Sequence, residues 1–303
     1  MHAIKLENLT KTFNKFTAVN DLSLEVPKGS IYGFIGPNGS GKTTTIRMIM
    51  NIFYPDAGSI SILGESYKGS THSNIGYLPE ERGLYKKMKV RELLKFHGML
   101  HKTPQLNKKI DYWLEKFELS TWADKKVEAL SKGMSQKIQF IATVIHSPEI
   151  VILDEPFSGL DPVNAELLRS AVLELRENGS TIIFSTHDMS MAERMCDYIF
   201  MIYKGQKVLD GTLDEIQSKY GSDTIHVKTD SHVKLESIAG IDKVTDFGKL
   251  QEVRMKPESD SQDILAAIMK VSKVLKFEIT KPSLNDIFIR IANPEPETEG
   301  ILN

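Results

Sequence analysis

Residues 35–45, IGPNGSGKTTT, constrain this chain more than any other stretch. They follow the apolar run IYGF at 31–34 and precede a helical pattern, and Gly36, Gly41, Lys42 and Thr43 satisfy G-x-x-x-x-G-K-[ST] in full. A loop whose successive backbone N–H groups converge on one point has no room for bulky side chains, hence the glycines; the helix behind it adds partial positive charge. The spacing therefore predicts a phosphate cradle at a strand end, made of Gly36, Pro37, Asn38, Gly39, Ser40, Gly41, Lys42, Thr43 and Thr44. Lys42 brings a full positive charge for terminal phosphates, and the Thr43 hydroxyl is a ligand for Mg²⁺. Kinases, GTPases, motor ATPases and transport ATPases all remain open at this point.

A second apolar run, Ile150-Val151-Ile152-Leu153, leads into Asp154-Glu155. A buried strand would deliver both carboxylates to its C-terminal edge, where ligands of open α/β sheets bind. Asp154 is placed to hold Mg²⁺ through water, and Glu155 to orient or deprotonate a water for in-line attack on a γ-phosphate. A solvated acidic turn is the plainer alternative. The run TIIFS at 181–185 ends in Thr186-His187-Asp188. A histidine there can bond the γ-phosphate or the attacking water, although a lone histidine is more often structural. LSKGMSQK at 130–137 opens a long helical pattern, and on physics alone its Ser131 and Gly133 are an ordinary N-cap pair.

Short β-branched runs at 30–35, 150–153 and 181–185 alternate with longer helical stretches, the pattern of an α/β fold with a parallel sheet covered by helices. Between about 91 and 147 the spacing turns helical, which predicts a helical insert. From 221 to 292, the alternating TIHVKT, a short strand near 252–256, the helical DILAAIMKV and KFEIT predict a small α+β domain. Residues 293–303, NPEPETEGILN, are acidic and poor in apolar groups, and are expected to be a disordered tail. A net charge of -2 supplies no global basic field, so nucleic acid is not an expected partner. The single cysteine, Cys196, excludes an internal disulfide framework and reads as a small buried hydrophobe beside Met195. No apolar run approaches the ~18 residues of a membrane span. The chain is expected in the cytoplasm, with any membrane association borrowed from a partner.

Taken together, GPNGSGKT, LSKGMSQK, ILDEP, SGLD and STHD, in this order and at these separations, resemble the nucleotide-binding subunit of ABC transporters over about residues 4–219. The resemblance implies a P-loop NTPase of ABC type over 1–220, with a mixed sheet core, the helical insert and the small C-terminal domain. It implies ATP as substrate, Mg²⁺ as cofactor and ATP hydrolysis as the reaction. By similarity, Ser131, Lys132, Gly133 and Met134 form the signature segment that touches the γ-phosphate held by the opposite subunit. Ser158, Gly159, Leu160 and Asp161 match the D-loop, His187 the switch histidine, and Phe13 the aromatic that stacks on adenine, with Val19 also in the ATP-binding set. Glu80, in IGYLPEE, stands where many relatives place a glutamine that contacts Mg²⁺ and the attacking water. Lys132 and Met134 depart from the LSGGQ form. LPEERGLY and PSLNDIF resemble a prokaryotic branch that includes sodium-efflux and antibiotic-resistance export ATPases.

One phosphate loop and one signature segment, placed by the family on different lobes, imply that two copies meet head to tail, as a homodimer. The resemblance also implies a separate transmembrane permease subunit, export as the direction, and a peripheral position at the inner face of the cell membrane. Tyr85, Lys86, Lys87 and Lys89 read either as a solvated charged turn or as a contact to that partner. The alternative reading is a soluble ABC-type ATPase acting on ribosomes or DNA; the paired cassettes or long coiled-coil insertion usual in such proteins are not evident in the sequence. The guanine-selecting N-K-x-D tetrapeptide is missing, which disfavours a GTPase.

Overall fold

The computed structural model describes residues 2–66, 74–81, 83–220 and 223–292; the 293–303 tail and Arg82 of LPEERGLY lie outside the described residues. The chain divides into two compact units, Met1–Gly211 and Thr212–Asn303.

The first unit is built on a six-stranded sheet in the order Gln206–Gly211, Tyr198–Tyr203, Ile31–Ile35, Thr181–Thr186, Ile150–Asp154, Ile75–Leu78. All neighbours are parallel except the first pair, so the sheet is mixed. Its central strands are buried from end to end, because both faces are covered. Val151 and Leu153 join one core with Leu93, Trp113 and Phe140 of the helices, while Ile150 and Ile152 join another with Leu6, Val26 and Ile60. That second core is closed by an antiparallel sheet of Phe16–Pro27, His2–Phe13, Ala57–Ile62 and Glu65–Ser66. The insert consists of helices Val90–Leu100, Leu106–Lys116 and Lys132–Val144, with two short 3₁₀ turns between the last two. Period-3.6 burial on the first two packs Leu93, Leu94, Ile110 and Leu114 inward, while the third is buried continuously over 136–142 and brings in Ile138 and Ile141.

The second unit opens with helix Leu213–Lys219, held at its start by a reciprocal pair: the Thr212 hydroxyl accepts the Glu215 N–H, and the Glu215 carboxylate accepts the Thr212 N–H. The sequence expectation placed the domain boundary after residue 220; the structural division falls before this helix. The reason is side-chain contact: Gln217 donates to the Pro282 carbonyl at 3.0 Å, and Lys281 pairs with Asp214. An antiparallel sheet follows, in the order Ile241–Asp246, Gln251–Met255, Thr224–Thr229, Val274–Thr280, with helices Ser261–Val271 and Leu284–Ala292. Its core gathers Ile225, Val227, Leu235, Ile241, Val253, Ile264 and Ile268. Among the described residues no helix is long and apolar enough to cross a membrane.

Candidate functional site

Strand Ile31–Ile35 runs into the loop at 36–41, and helix Lys42–Ile49 follows. Gly36 (φ +154°) and Gly41 (φ +112°) occupy backbone conformations that L side chains rarely adopt. Space forbids a side chain as well: a Cβ would lie 2.3 Å from the Ile202 carbonyl oxygen at Gly36 and 2.6 Å from that of Ala18 at Gly41. The helix has no side-chain cap at Gly41 and no acid in its first turn, so its leading N–H groups are left for a ligand. Lys42 is buried, and its ammonium donates to the carbonyls of Gly36 at 2.7 Å and Pro37 at 3.1 Å. Burial lowers its pKa, against the pull of Glu155, Asp154 and Glu80. Ser40 Oγ is buried without a hydrogen-bond partner among the described residues.

Strand Ile150–Asp154 delivers two buried carboxylates to the same end of the sheet. Burial, with the nearby charges of Glu80 and Glu155, raises the pKa of Asp154; the Ser185 and Thr43 hydroxyls act in the opposite sense. The Thr43 hydroxyl donates to Asp154 Oδ2 at 3.3 Å. Glu155 has a positive φ of 49°, and its N–H donates to the Ser185 carbonyl at 3.0 Å. This turn aims the carboxylate along the neighbouring strand end, where it accepts from the Thr186 hydroxyl at 3.2 Å and the His187 N–H at 2.9 Å. His187 Nδ1 lies 2.6 Å from Glu155 Oε1.

Lys42, Thr43 and both carboxylates open on a cavity of about 340 Å³ lined by Phe13, Phe16, Ala18, Asn38, Gly39, Gly41, Lys42, Thr43, Thr44, Glu80, Asp154 and Glu155; His187 touches Glu155 but does not line it. Ten of these belong to the set singled out from sequence, and Phe16 and Ala18 do not. Hairpin register explains Phe16, since it pairs with Phe13 across the turn and sets two aromatics side by side; FNKF is the signal for it. Gly36, Pro37 and Ser40 belong to the loop but do not line the cavity, and Val19 is fully buried in the core. Val19 therefore has no surface for nucleotide contact here, and Ala18 stands at the wall instead. A larger cavity of about 1010 Å³ borders Lys5, Glu7, Tyr32 and Asp210, whose polar ends already satisfy each other: Lys5 to Glu7 at 2.9 Å and Tyr32 to Asp210 at 3.0 Å.

Ser131, Lys132, Gly133 and Met134 do not line the 340 Å³ cavity. Ser131 caps helix Lys132–Val144, its hydroxyl accepting the Met134 N–H at 3.2 Å. The segment leans on the loop after Glu155: a Cβ at Gly133 would sit 3.7 Å from Asn164 Nδ2 and 3.9 Å from Leu160 Cδ2. Gln136, buried one turn further on, donates to the Pro156 carbonyl at 2.6 Å and lies 3.4 Å from that of Ser158. Asp161 caps the next helix, Pro162–Glu177, accepting from the N–H groups of Val163 and Asn164. Thus Ser131–Met134 and Ser158–Asp161 form one block, tied by a glutamine that sequence reasoning did not assign. Beside it a groove of about 450 Å³ is bordered by Leu84, Lys86, Val127, Glu128, Leu130 and Lys132, with Lys87 paired to Glu128 at 2.8 Å and Tyr85 edge-on to Phe96 at 5.8 Å.

Two family models match: "ABC transporter" over residues 19–158 and "ATP-binding protein DrrA1-3-like, C-terminal domain" over 211–292. The ABC transporter ATP-binding protein YhaQ of Bacillus subtilis is 42% identical over 289 residues, covering 94% of this chain and 97% of that one. The Nod factor export ATP-binding protein I of Ralstonia nicotianae is 31% identical, with 96% of this chain and 94% of that one covered. Among solved structures, an ATP binding subunit of an ABC transporter superposes with a TM-score of 0.69 at 29% identity, over 72% of this chain and 93% of that one. Likeness of this extent, together with a phosphate loop facing paired strand-end carboxylates, decides among the P-loop classes left open by the loop itself: the chain belongs to the ABC transporter family, as an ATP-binding subunit and ATPase with a C-terminal domain of the DrrA1-3-like type.

Proposed function

We propose that this chain binds ATP with Mg²⁺ in the 340 Å³ cavity, hydrolyses it with Glu155 as general base, and couples head-to-tail closure of two copies to an export permease in the membrane. One observation carries the reading. The cavity is lined by Asn38, Gly39 and Gly41 of the loop, by Lys42 and by both carboxylates but by none of Ser131, Lys132, Gly133 and Met134, so in this reading the signature serine and glycine reach a γ-phosphate from a second copy.

The residues fit both groups. A cradle that a Cβ at Gly36 or Gly41 would fill, with helix N–H groups behind it, suits a polyphosphate. Thr43, Asp154 and Glu80 offer the hard oxygens that Mg²⁺ prefers, and no cluster of three or more His, Cys, Asp or Glu among the described residues is placed to hold a metal alone. That matches an ion held partly by its nucleotide. When bound, Mg²⁺ neutralises charge on the phosphate oxygens.

Phe13, at the rim and 38% exposed, supplies a face for adenine. Lys42 exchanges the carbonyls of Gly36 and Pro37 for phosphate oxygens. Glu155, held by His187 and Thr186, accepts a proton from a water as that water's oxygen bonds the γ-phosphorus and the bond to the β-phosphate oxygen breaks. The His187 side chain is 56% exposed and is free to turn from Glu155 toward the phosphate or water. Ser158, Gly159, Leu160 and Asp161 report the state of one site to the other through the shared block. The groove at Leu84, Lys86 and Glu128 receives the permease, which places the chain at the inner face of the membrane. The direction, export, is supported by the name of the Nod factor relative.

Glu155→Gln tests this. It should keep nucleotide binding, lose phosphate release by about a hundred- to ten-thousand-fold, and accumulate as a dimer with Mg²⁺-ATP in gel filtration. Lys42→Ala should lose both binding and dimer. A Glu155→Gln protein that stays monomeric with ATP, alone and beside its membrane partner, refutes the closure scheme.

A further inference from the structure

Strand Val274–Thr280 is the outermost strand of the second unit's sheet. Its inner side pairs with Thr224–Thr229, in a register that skips Leu275. Its outer side pairs with no strand among the described residues. Such an edge presents unpaired N–H and C=O groups, and sheets usually blunt it with prolines, short length or charge. The opposite edge, Ile241–Asp246, does so with Asp242, Lys243 and Asp246. Val274–Thr280 is seven residues long and contains no proline, and it holds Leu275 and Ile279 at 53% and 47% exposure.

Its sequence, VLKFEIT, complements itself when read antiparallel about Phe277. That register sets Phe277 against its own copy and Lys276 against Glu278, with Ile279 approaching the irregularity at Leu275. Lys276 and Glu278 share the face opposite Phe277; within one chain they pair at 2.7 Å while staying 49% and 55% exposed. Across a two-fold axis each would gain a carboxylate or ammonium directly opposite, twice over by symmetry. The neighbouring two-fold registers fail on charge. Centring on residue 276 puts lysine against lysine, and centring on 278 puts glutamate against glutamate. Charge thus selects one register, and the exposed Leu275 and Ile279 flank it with apolar contact.

We infer that a second copy of this chain docks on Val274–Thr280 by antiparallel edge pairing about Phe277, joining two four-stranded sheets into one continuous sheet. The contact uses no nucleotide and no residue of the ATP cavity. It is therefore separate from the ATP-driven closure proposed above and stands or falls without it.

The test is sedimentation velocity on the full chain, without nucleotide and in EDTA, over a concentration series. The parent should dimerise. Lys276→Glu makes both positions acidic and Glu278→Lys makes both basic; each should raise the dimer Kd at least about tenfold, since two attractive cross-strand pairs become repulsive. An equimolar mixture of the two variants should restore a dimer, now mixed, and the double exchange Lys276→Glu with Glu278→Lys should dimerise like the parent. Both positions are on an exposed edge, so circular dichroism should be unchanged. A parent that stays monomeric to about 100 µM, the range of weak transient contacts, overturns the inference. So do single variants that dimerise like the parent, or a mixture that does not recover. Failure of Glu155→Gln to dimerise with ATP would leave these results untouched.

Discussion

Replacing Gln136 with methionine separates the placing of the loop at 158–161 from nucleotide binding. Gln136 is 2% exposed, donates to the Pro156 carbonyl at 2.6 Å, and reaches that of Ser158 only at 3.4 Å, so one bond carries most of the contact. Methionine keeps the length, the volume and the helix propensity. It leaves the Pro156 carbonyl without its donor, at a cost of about 1–3 kcal/mol for a buried acceptor. Gln136 Oε1 is itself buried without a partner among the described residues, and deleting it returns part of that cost. The net loss should therefore sit near the low end, about 1 kcal/mol, which corresponds to a Tm drop of about 2–4 °C for a unit of this size. ATP affinity should not move, because Gln136 does not line the cavity. Turnover should fall about ten- to a hundredfold, the cost of a small misplacement in a site that works by position. Calorimetry, titration with a fluorescent nucleotide and phosphate release read the three quantities. A lower Tm with full turnover would refute the claim that this bond sets the loop; an unchanged Tm would show that the bond has no net worth.

Gly41→Ala should cost about 1–3 kcal/mol from its left-handed backbone and abolish nucleotide binding, since the added Cβ meets the Ala18 carbonyl oxygen at 2.6 Å; intact ATP affinity in a titration would contradict the cradle. Lys86→Glu, at the groove beside Glu128, should spare ATP binding and basal hydrolysis but abolish transport with the membrane partner, and equal loss of all three would remove the docking role. His146 stacks on His101 at 3.8 Å, and burial first, then the charges of His101, Lys109 and His97, hold its pKa down at about 4 against an ordinary 6.5. The unfolded chain takes up that proton first, so stability is full above pH 6.5 and is lost as pH falls toward 4; His146→Gln should flatten the decline of Tm across that window.

The parts of this molecule legible in its sequence are those where one constraint acts alone. Ile150–Asp154 is buried on both faces and reads as an unbroken apolar run, and the loop at 36–41 reads as glycines because two of them admit no Cβ. Where constraints overlap, the pattern blurs. The long strands His2–Phe13 and Phe16–Pro27 shift register after Leu6, Leu9 and Lys11, so alternation breaks before it can be counted. Ile241–Asp246 buries only Ile241, leaving no periodicity to find. Phe16 and Ala18 reach the cavity through hairpin register, which motif spacing does not carry, and Val19, expected from sequence among the ATP contacts, has its side chain in the core.

Residue order is silent, too, on which groups are already occupied. Lys42 is bonded to loop carbonyls and Glu155 to His187, so the cation and the base that a phosphate and a water would need are each satisfied by the chain itself. Binding must exchange these bonds rather than fill empty valences: the exchange at Lys42 gains only what a phosphate offers beyond two carbonyls. In the closure proposed above, a second copy adds the donors of Ser131 and Gly133. Turnover by this chain should therefore rise with the square of its concentration while it is monomeric and become linear once dimers form, and strictly linear dependence from the lowest concentration upward, with no dimer present, would show that one copy completes its own site.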